Sequence, residues 1–252
     1  SNGKIIHSRD VKFYEDELVE NFQDDSYDLQ IESKKQHPKE SEPDFVVLDS
    51  GRNEDDAEVK RVSEAATNPI RKLAYHTPKY AVSDGVTLLE TPEGDMPIEV
   101  FGAHNLNNLA GAKWICQNMG VDEADFYEAI ASFKGASKRL EKIAESKTTV
   151  AYKDFAHSPS KVAATTKAVK EQYPDRTLVA CLELHTYSSL NAEFLKEYEG
   201  ALEYADKAVV FYSPDAVKIK QLEEVTYDQI ANAFNRKDLI IYTNPKDFKD
   251  YL

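Results

Sequence analysis

The chain is poor in the residues that staple or anchor a protein. It has two cysteines, Cys116 and Cys181, in 252 residues. Two cysteines cannot build the disulfide framework of a small secreted domain. Each sits in an apolar run, Trp114-Ile115-Cys116 and Val179-Ala180-Cys181-Leu182. Both are therefore expected as small buried hydrophobes in a reducing compartment, not as a disulfide or a metal pair. No apolar run approaches the roughly 20 residues that span a bilayer. Ser1–Arg9 holds no apolar h-region, so a secretory signal is not expected and the cytoplasm is the expected location. Positive charge is also in the minority: 31 lysines and arginines face 45 aspartates and glutamates, a net charge of −14. Such a chain repels phosphate polymers and anionic surfaces, so neither nucleic acid nor a membrane is an expected partner; a local basic pocket for one nucleotide stays compatible with it. No G-x-G-x-x-G follows any strand candidate, which argues against a dinucleotide-binding oxidoreductase domain.

What is present suits one large or two small domains, with ample length for a hydrophobic core. Residues 1–50 are the least readable. Gly3–His7 suits a short strand, Phe13–Phe22 a helix, and the charged stretch Ser33–Asp44, broken by Pro38 and Pro43, an exposed loop. Phe45–Leu48 is a compact apolar run expected as a buried strand. Asp55 or Asp56 is placed to cap a following helix whose Val59, Val62, Ala65 and Ala66 share one face. Leu73–Tyr75 and Tyr80–Val82 are short strand candidates. Asp84-Gly85 is a turn signal. Val86–Thr91 and Ile98–Phe101 are expected to form a β-hairpin that delivers Gly102 and His104 to its end. Helices follow over Asn105–Asn118, stopped by Gly120, and over Asp122–Phe133, with Phe126, Ala129, Ile130 and Phe133 on one face.

From Lys134 the pattern changes. Strands are expected at Thr148–Tyr152, Leu178–Leu184, Ala208–Tyr212 and Leu239–Tyr242. Helices are expected at Ser160–Tyr173, Asn191–Tyr204, Tyr227–Phe234 and Pro245–Leu252. This alternation implies right-handed βαβ units, a parallel sheet and a small Rossmann-like α/β domain. Ligands of such sheets bind beyond the carboxyl ends of the strands, where Asp154 and His185 are expected.

Three stretches carry the candidate chemistry. In Gly102-Ala103-His104-Asn105-Leu106-Asn107-Asn108, a strand end meets a helix start, which exposes backbone N–H groups. The amides of Asn105 and Asn108 both donate and accept, as the edge of a purine requires; capping by Asn105, with Asn108 on a solvated face, is the plainer alternative. In Phe133–Glu141, Arg139 follows a Gly-Ala-Ser turn and offers a permanently charged fork for phosphate. Lys138 and Glu141 equally suit a solvated face. In Asp154-Phe155-Ala156-His157-Ser158-Pro159, the aspartate is able to accept from two vicinal hydroxyls or to serve as a turn residue, and Pro159 suits a first helical turn. His7, His37 and His76 have no convincing partners in the sequence.

In this order and at this spacing, the three stretches resemble the Mur ligases, whose patterns are G-x-H-N-x-x-N, F-x-G-x-x-x-R-x-E and D-[FY]-[AG]-H-x-P. The likeness runs from Asn53 to the C-terminus. It implies an ATP-dependent, Mg²⁺-requiring acid–amino-acid ligase that joins UDP-N-acetylmuramate to an amino acid or peptide through an acyl phosphate. It implies that His104, Asn105 and Asn108 contact the nucleotide, Arg139 the phosphates and Asp154 the ribose, with His157 near the phosphates. None of these would be a nucleophile, and none a direct metal ligand. His185, in Glu183-Leu184-His185-Thr186-Tyr187-Ser188, matches a strand end that reads Q-P-H-R-Y-T in L-alanine-adding relatives. It is a substrate-contact candidate, with Thr186 replacing the arginine. The closest branch is the murein peptide ligases, which add L-alanyl-γ-D-glutamyl-meso-diaminopimelate; the L-alanine ligases are the neighbouring choice. The expected division is a partial central domain over 1–133 and a C-terminal ligase domain over 134–252. No G-x-x-G-K-[ST] phosphate loop stands in the chain. It therefore reads as a fragment, inactive by itself, with a non-catalytic nucleotide- or peptide-binding module as the rival reading.

Overall fold

A computed structural model describes residues 74–251 other than 224, together with 44–46, 61, 62, 64, 65 and 70–72. All of these lie in one compact unit, Pro43–Leu252. The expected strand at Gly3–His7, the helix at Phe13–Phe22 and the caps at Asp55 or Asp56 lie outside the described residues. Strand β1 (Asp44–Val46) pairs in parallel with β2 (Ile70–Lys72). Residues 61, 62, 64 and 65 are helical, as the apolar spacing predicts. Ala74 and Tyr75 are irregular, so the strand expected there falls earlier, on β2.

Strands β3 (Tyr80–Ser83), β4 (Val86–Thr91) and β5 (Gly94–Ile98) form an antiparallel meander. Asp84 and Gly85 join the first two with φ of 51° and 77°, the pair of positive angles that a tight hairpin turn needs. β5 starts four residues earlier than Ile98, because Pro92-Glu93 already closes a two-residue turn and Thr91 pairs with Gly94. One face of β4 is buried, with Leu89 1% exposed. Leu89 and Ile98 pack against Leu106, Leu109 and Phe126. These last belong to α1 (Ala103–Asn118) and α2 (Glu123–Ala131). Gly120, at φ +91°, ends α1, and the Asp122 carboxylate caps α2 by accepting the Asp125 N–H. Ala129 and Phe133 are exposed, so only Phe126 and Ile130 of the expected face turn inward.

The second half holds β6 (Glu141–Glu145), β7 (Val150–Lys153), α3 (Pro159–Gln172), β8 (Val179–Leu184), α4 (Ala192–Leu195), β9 (Lys207–Tyr212), α5 (Pro214–Ile219), α6 (Tyr227–Phe234), β10 (Ile240–Tyr242) and α7 (Pro245–Tyr251). β8, β9 and β10 form a parallel sheet in the order β10-β9-β8. Ala208, Val209 and Val210 of the middle strand are all 0% exposed, as expected for a parallel strand covered on both faces. Leu182, Leu184, Leu195, Tyr198, Ile230 and Phe234 complete this core.

Four expectations are corrected here. β7 does not join the parallel ladder; it pairs antiparallel with β6. The charged, largely exposed Glu141–Glu145 hides its strand character, and Ile143 sits at a bulge. The helix expected over Asn191–Tyr204 stops at Leu195, passes into a 3₁₀ turn at Lys196–Tyr198, and gives way to turns around Gly200 at φ +76°. Helix α5 went unread; it is one and a half turns, started by Ser213 and Pro214. Finally, neither cysteine is buried: Cys116 is partly covered and Cys181 is exposed, both as free thiols. β8 is an edge strand of the sheet, and Cys181 lies on the same poorly covered side as Val179.

A small third core joins the halves. Phe101, Leu140 and Ala168 are buried together, with Tyr152 and Val169 against them. The Phe101 and Tyr152 rings meet edge to face at 5.2 Å.

Candidate functional site

This third core brings the three motif stretches together. Phe101 leads into α1, Leu140 ends the Arg139 turn, and Ala168 lies on α3, which starts after the Asp154 loop. Gly102 makes the close approach possible. It sits at φ +87°, and a Cβ there would stand 2.5 Å from the Ala168 Cβ. Only a residue without a side chain lets α1 and α3 approach in this way.

The Asp154 carboxylate ties two loops by backbone contacts. Oδ2 accepts the Leu140 N–H at 2.7 Å and Oδ1 the Ala156 N–H at 2.6 Å. Phe155 N–H donates to the Lys138 carbonyl at 2.9 Å. Glu141 Oε2 accepts from Lys138 N–H at 2.8 Å and Ser137 Oγ at 3.1 Å. These bonds depress the Glu141 pKa, the backbone contact most. Glu141 is thus a turn-forming residue. Together the bonds hold Lys138 and Leu140 at φ of 58° and 46°, where non-glycine residues are uncommon, and leave Arg139 exposed between them.

His104 is largely buried at this junction. Burial drives its pKa down; Asp154 pulls it up, while Lys161 and Arg139 push it down again. An aspartate and two cations from separate stretches therefore act on one imidazole that stays neutral at pH 7. Lys161 was not singled out from the sequence. The available signal was its place in the first turn of α3, where a cation opposes the helix dipole unless an anion is to be met.

Helices α1 and α3 also start without a side-chain cap, at Gly102 and Ser158. In contrast, α2, α4, α5 and α6 are capped by Asp122, Asn191, Ser213 and Thr226. Two helix starts thus keep N–H groups for another acceptor, such as phosphate. The helix begins two residues before Asn105, so Asn105 is no N-cap; its amide donates to the Phe101 carbonyl at 3.0 Å. Asn108 keeps a buried Oδ1 with no hydrogen-bond partner among the described residues, so a ligand donor has an acceptor to meet.

His157 and His185 stand beyond the ends of β7 and β8. Their rings lie 6.3 Å apart, and the Phe155 ring is 5.1 Å from the first and 6.4 Å from the second. His157 Nδ1 bonds the Phe155 carbonyl at 2.9 Å. The fully buried Tyr198 donates its hydroxyl to the His157 carbonyl; burial pushes its pKa up to about 12, so it stays protonated. His76 is exposed.

The arrangement suits a polyanion with a hydrogen-bonding edge. It offers two cations, two uncapped helix starts, an orphaned amide oxygen and a carboxylate that keeps lone pairs for hydroxyls. Among the described residues no three His, Cys, Asp or Glu are grouped to hold an ion, and no helix is long and apolar enough to cross a membrane.

No family model matches the chain. A UDP-N-acetylmuramate–L-alanine ligase of Lactococcus lactis is 29% identical over 150 residues, covering 59% of this chain and 33% of the relative. The same kind of ligase from Lactobacillus delbrueckii is 30% identical over 159 residues, covering 63% of this chain and 35% of the relative. The chain thus spans about a third of the length of these curated relatives. Among solved structures, the UDP-N-acetylmuramate-alanine ligase of Thermotoga maritima superposes with a TM-score of 0.54 at 18% identity, covering 73% of this chain and 41% of that one. MurF of Acinetobacter baumannii gives 0.55 at 14%, covering 79% and 43%. A folylpolyglutamate synthase of Mycobacterium tuberculosis, complexed with ADP, gives 0.54 at 15%, covering 78% and 45%. The chain is thus similar in sequence to UDP-N-acetylmuramate–L-alanine ligases over more than half of its length, and its α/β fold with a parallel sheet is similar to that of these solved ligases.

Proposed function

We propose that this chain supplies the nucleotide-holding part of an ATP-dependent ligase that joins UDP-N-acetylmuramate to an amino acid or peptide. The observation that carries the reading is the convergence of the three motif stretches: Gly102 abuts Ala168, the Asp154 carboxylate accepts the Leu140 N–H next to Arg139, and the partly buried His104 ring lies at Gly102 under the influence of Asp154, Lys161 and Arg139. On this reading residues 1–133 are the end of the ATP-binding domain and residues 134–252 the C-terminal ligase domain. ATP, when bound, supplies the phosphoryl group that activates a carboxylate. Arg139 and Lys161 hold its phosphates, the second lone pairs of the Asp154 oxygens accept from the ribose hydroxyls, and Asn108 Oδ1 accepts from the base. His104 stays neutral, so it adds no charge and is free to donate or accept a hydrogen bond. Cations and helix starts preorganised around a phosphoryl group stabilise charge without reorganising when it develops. Mg²⁺ belongs to the family expectation as the companion of ATP; no step here passes through it. His157 lies near the phosphates, and His185, just beyond the carboxyl end of β8, is the candidate contact for the incoming amine-bearing substrate.

The test is equilibrium binding of ATP to this chain, followed by phosphate release with ATP, Mg²⁺ and UDP-N-acetylmuramate, given either L-alanine or L-alanyl-γ-D-glutamyl-meso-diaminopimelate. ATP binding that is lost in Arg139→Ala supports the reading. Release that depends on the tripeptide identifies a murein peptide ligase, and release that depends on L-alanine the neighbouring enzyme. ATP binding without release in either case leaves a nucleotide-binding module. Absence of ATP binding overturns the reading.

A further inference from the structure

The end of α3 is fastened to the hairpin half by a buried amide. Gln172 is 5% exposed and Thr87 0%. Gln172 Nε2 donates to the Gly85 carbonyl at 2.6 Å, and its Oε1 accepts the Thr87 hydroxyl at 3.0 Å. Both ends of the amide thus bond one hairpin, at the Gly85 turn and at Thr87 just inside β4, 87 and 85 residues away in the chain. The neighbours reinforce it. Glu171 Oε2 accepts from Tyr80 at 3.5 Å. Gly85 lies close to the Tyr173 ring, where a Cβ would come within 3.3 Å of Cε1. The Tyr173 hydroxyl meets that of Tyr152 at 2.6 Å. Residues 171–173 therefore grip the hairpin on one side and β7 on the other.

Lys161, Ala168 and Gln172 recur at helical spacing, so they form one stripe along α3. Two of them meet the same half of the molecule: Ala168 abuts Gly102, where a Cβ would also come within 3.2 Å of the His104 ring, and Gln172 holds Gly85 and Thr87; Lys161 lies at the other end of the stripe. From Gln172 to Lys161 is about 16 Å along the helix axis. A rod gripped at one end and seated at Gly102 cannot slide or roll without moving what it carries at the other end.

We infer that Gln172 is a positioning residue: its clasp on Gly85 and Thr87 sets the register of α3 against the hairpin half, and so places Lys161 and the Asp154 loop beside His104. A buried, fully satisfied amide is specific in this role, because any other register leaves polar groups without partners in a dry site.

The experiment compares the parent chain with Thr87→Val, which is isosteric and removes one bond, and with Gln172→Glu, which sets a carboxylate against the Gly85 carbonyl. Titration of the His104 imidazole, followed by NMR without nucleotide, reports the register. The expected result is a His104 titration displaced from that of the parent in both variants, further in Gln172→Glu. ATP affinity, which rests on the reading above, is expected to fall roughly tenfold or more, as small misplacements in preorganised sites do. A His104 titration unchanged from the parent in folded variants overturns the clasp. Failure of either variant to fold also overturns it, since each half has its own core and a purely positioning contact leaves both intact. If the parent binds no ATP, the functional reading falls and the imidazole titration still decides the clasp.

Discussion

The Asp154 carboxylate and the Leu140 backbone N–H are joined over 2.7 Å, fourteen residues apart in the chain. This one bond links the turn that presents Arg139 to the loop that follows β7. It explains how Leu140 keeps φ at 46° while its side chain is buried in the small third core. Asp154→Asn turns one of two acceptors into an NH₂ group facing a backbone donor. Loss of a buried, charge-assisted bond costs about 1–3 kcal/mol. Urea unfolding of the variant measures it; a change too small to detect means that the bridge does not hold the turn.

Gly102→Ala is expected to be among the most damaging small substitutions. The new Cβ meets the Ala168 Cβ at 2.5 Å and the backbone stays at φ +87°. Strain from the positive φ adds to overpacking, which alone costs about 1–3 kcal/mol. Ala168→Gly as a second change relieves the clash and not the backbone strain, so the double variant is expected to recover part of the loss. Full recovery in thermal denaturation would show that the steric contact alone matters.

Stability is expected to rise with pH because of His104. Burial holds its folded-state pKa below the ordinary histidine value of 6.5. Below 6.5 the unfolded chain therefore binds a proton that the folded chain refuses, and folding is penalised. The penalty disappears as pH climbs from the folded-state pKa through 6.5, and above that His104 contributes no further slope. His104→Gln should flatten this window in a comparison of unfolding free energies across pH. An unaltered slope would place the pH dependence elsewhere.

Arg139→Ala separates binding from folding. Arg139 is exposed, and such substitutions stay within about 0.5 kcal/mol in stability. A hydrogen bond to a charged group is worth about 1.5–3 kcal/mol, or about 10- to 100-fold in affinity for ATP. Calorimetric titration with ATP, set beside urea unfolding of the same variant, checks both halves of the expectation.

Sequence alone marked out the elements whose cause is local. Asp84-Gly85 is a hairpin turn because two adjacent positive φ angles need such residues. Tyr227–Phe234 is a helix because its apolar spacing is uninterrupted and Thr226 with Gln229 closes a capping box. The three motif stretches were also visible, since each is a short run of unusual residue types at a fixed order. β6 was not, because a charged, exposed strand takes its identity from the partner across the ladder. The break after Leu195 was not either, because whether Gly200 interrupts a helix or merely weakens it is settled by what packs around it.

Most of the elements, the parallel sheet and the candidate residues His104, Arg139 and Asp154 were therefore legible from residue chemistry and spacing. Their meeting was decided only by tertiary structure. The close approach of Gly102 to Ala168 and the grip of Gln172 on Gly85 and Thr87 are contacts between residues far apart in the chain. No local preference encodes them; they exist because burying Phe101, Leu140 and Ala168 together permits no other register.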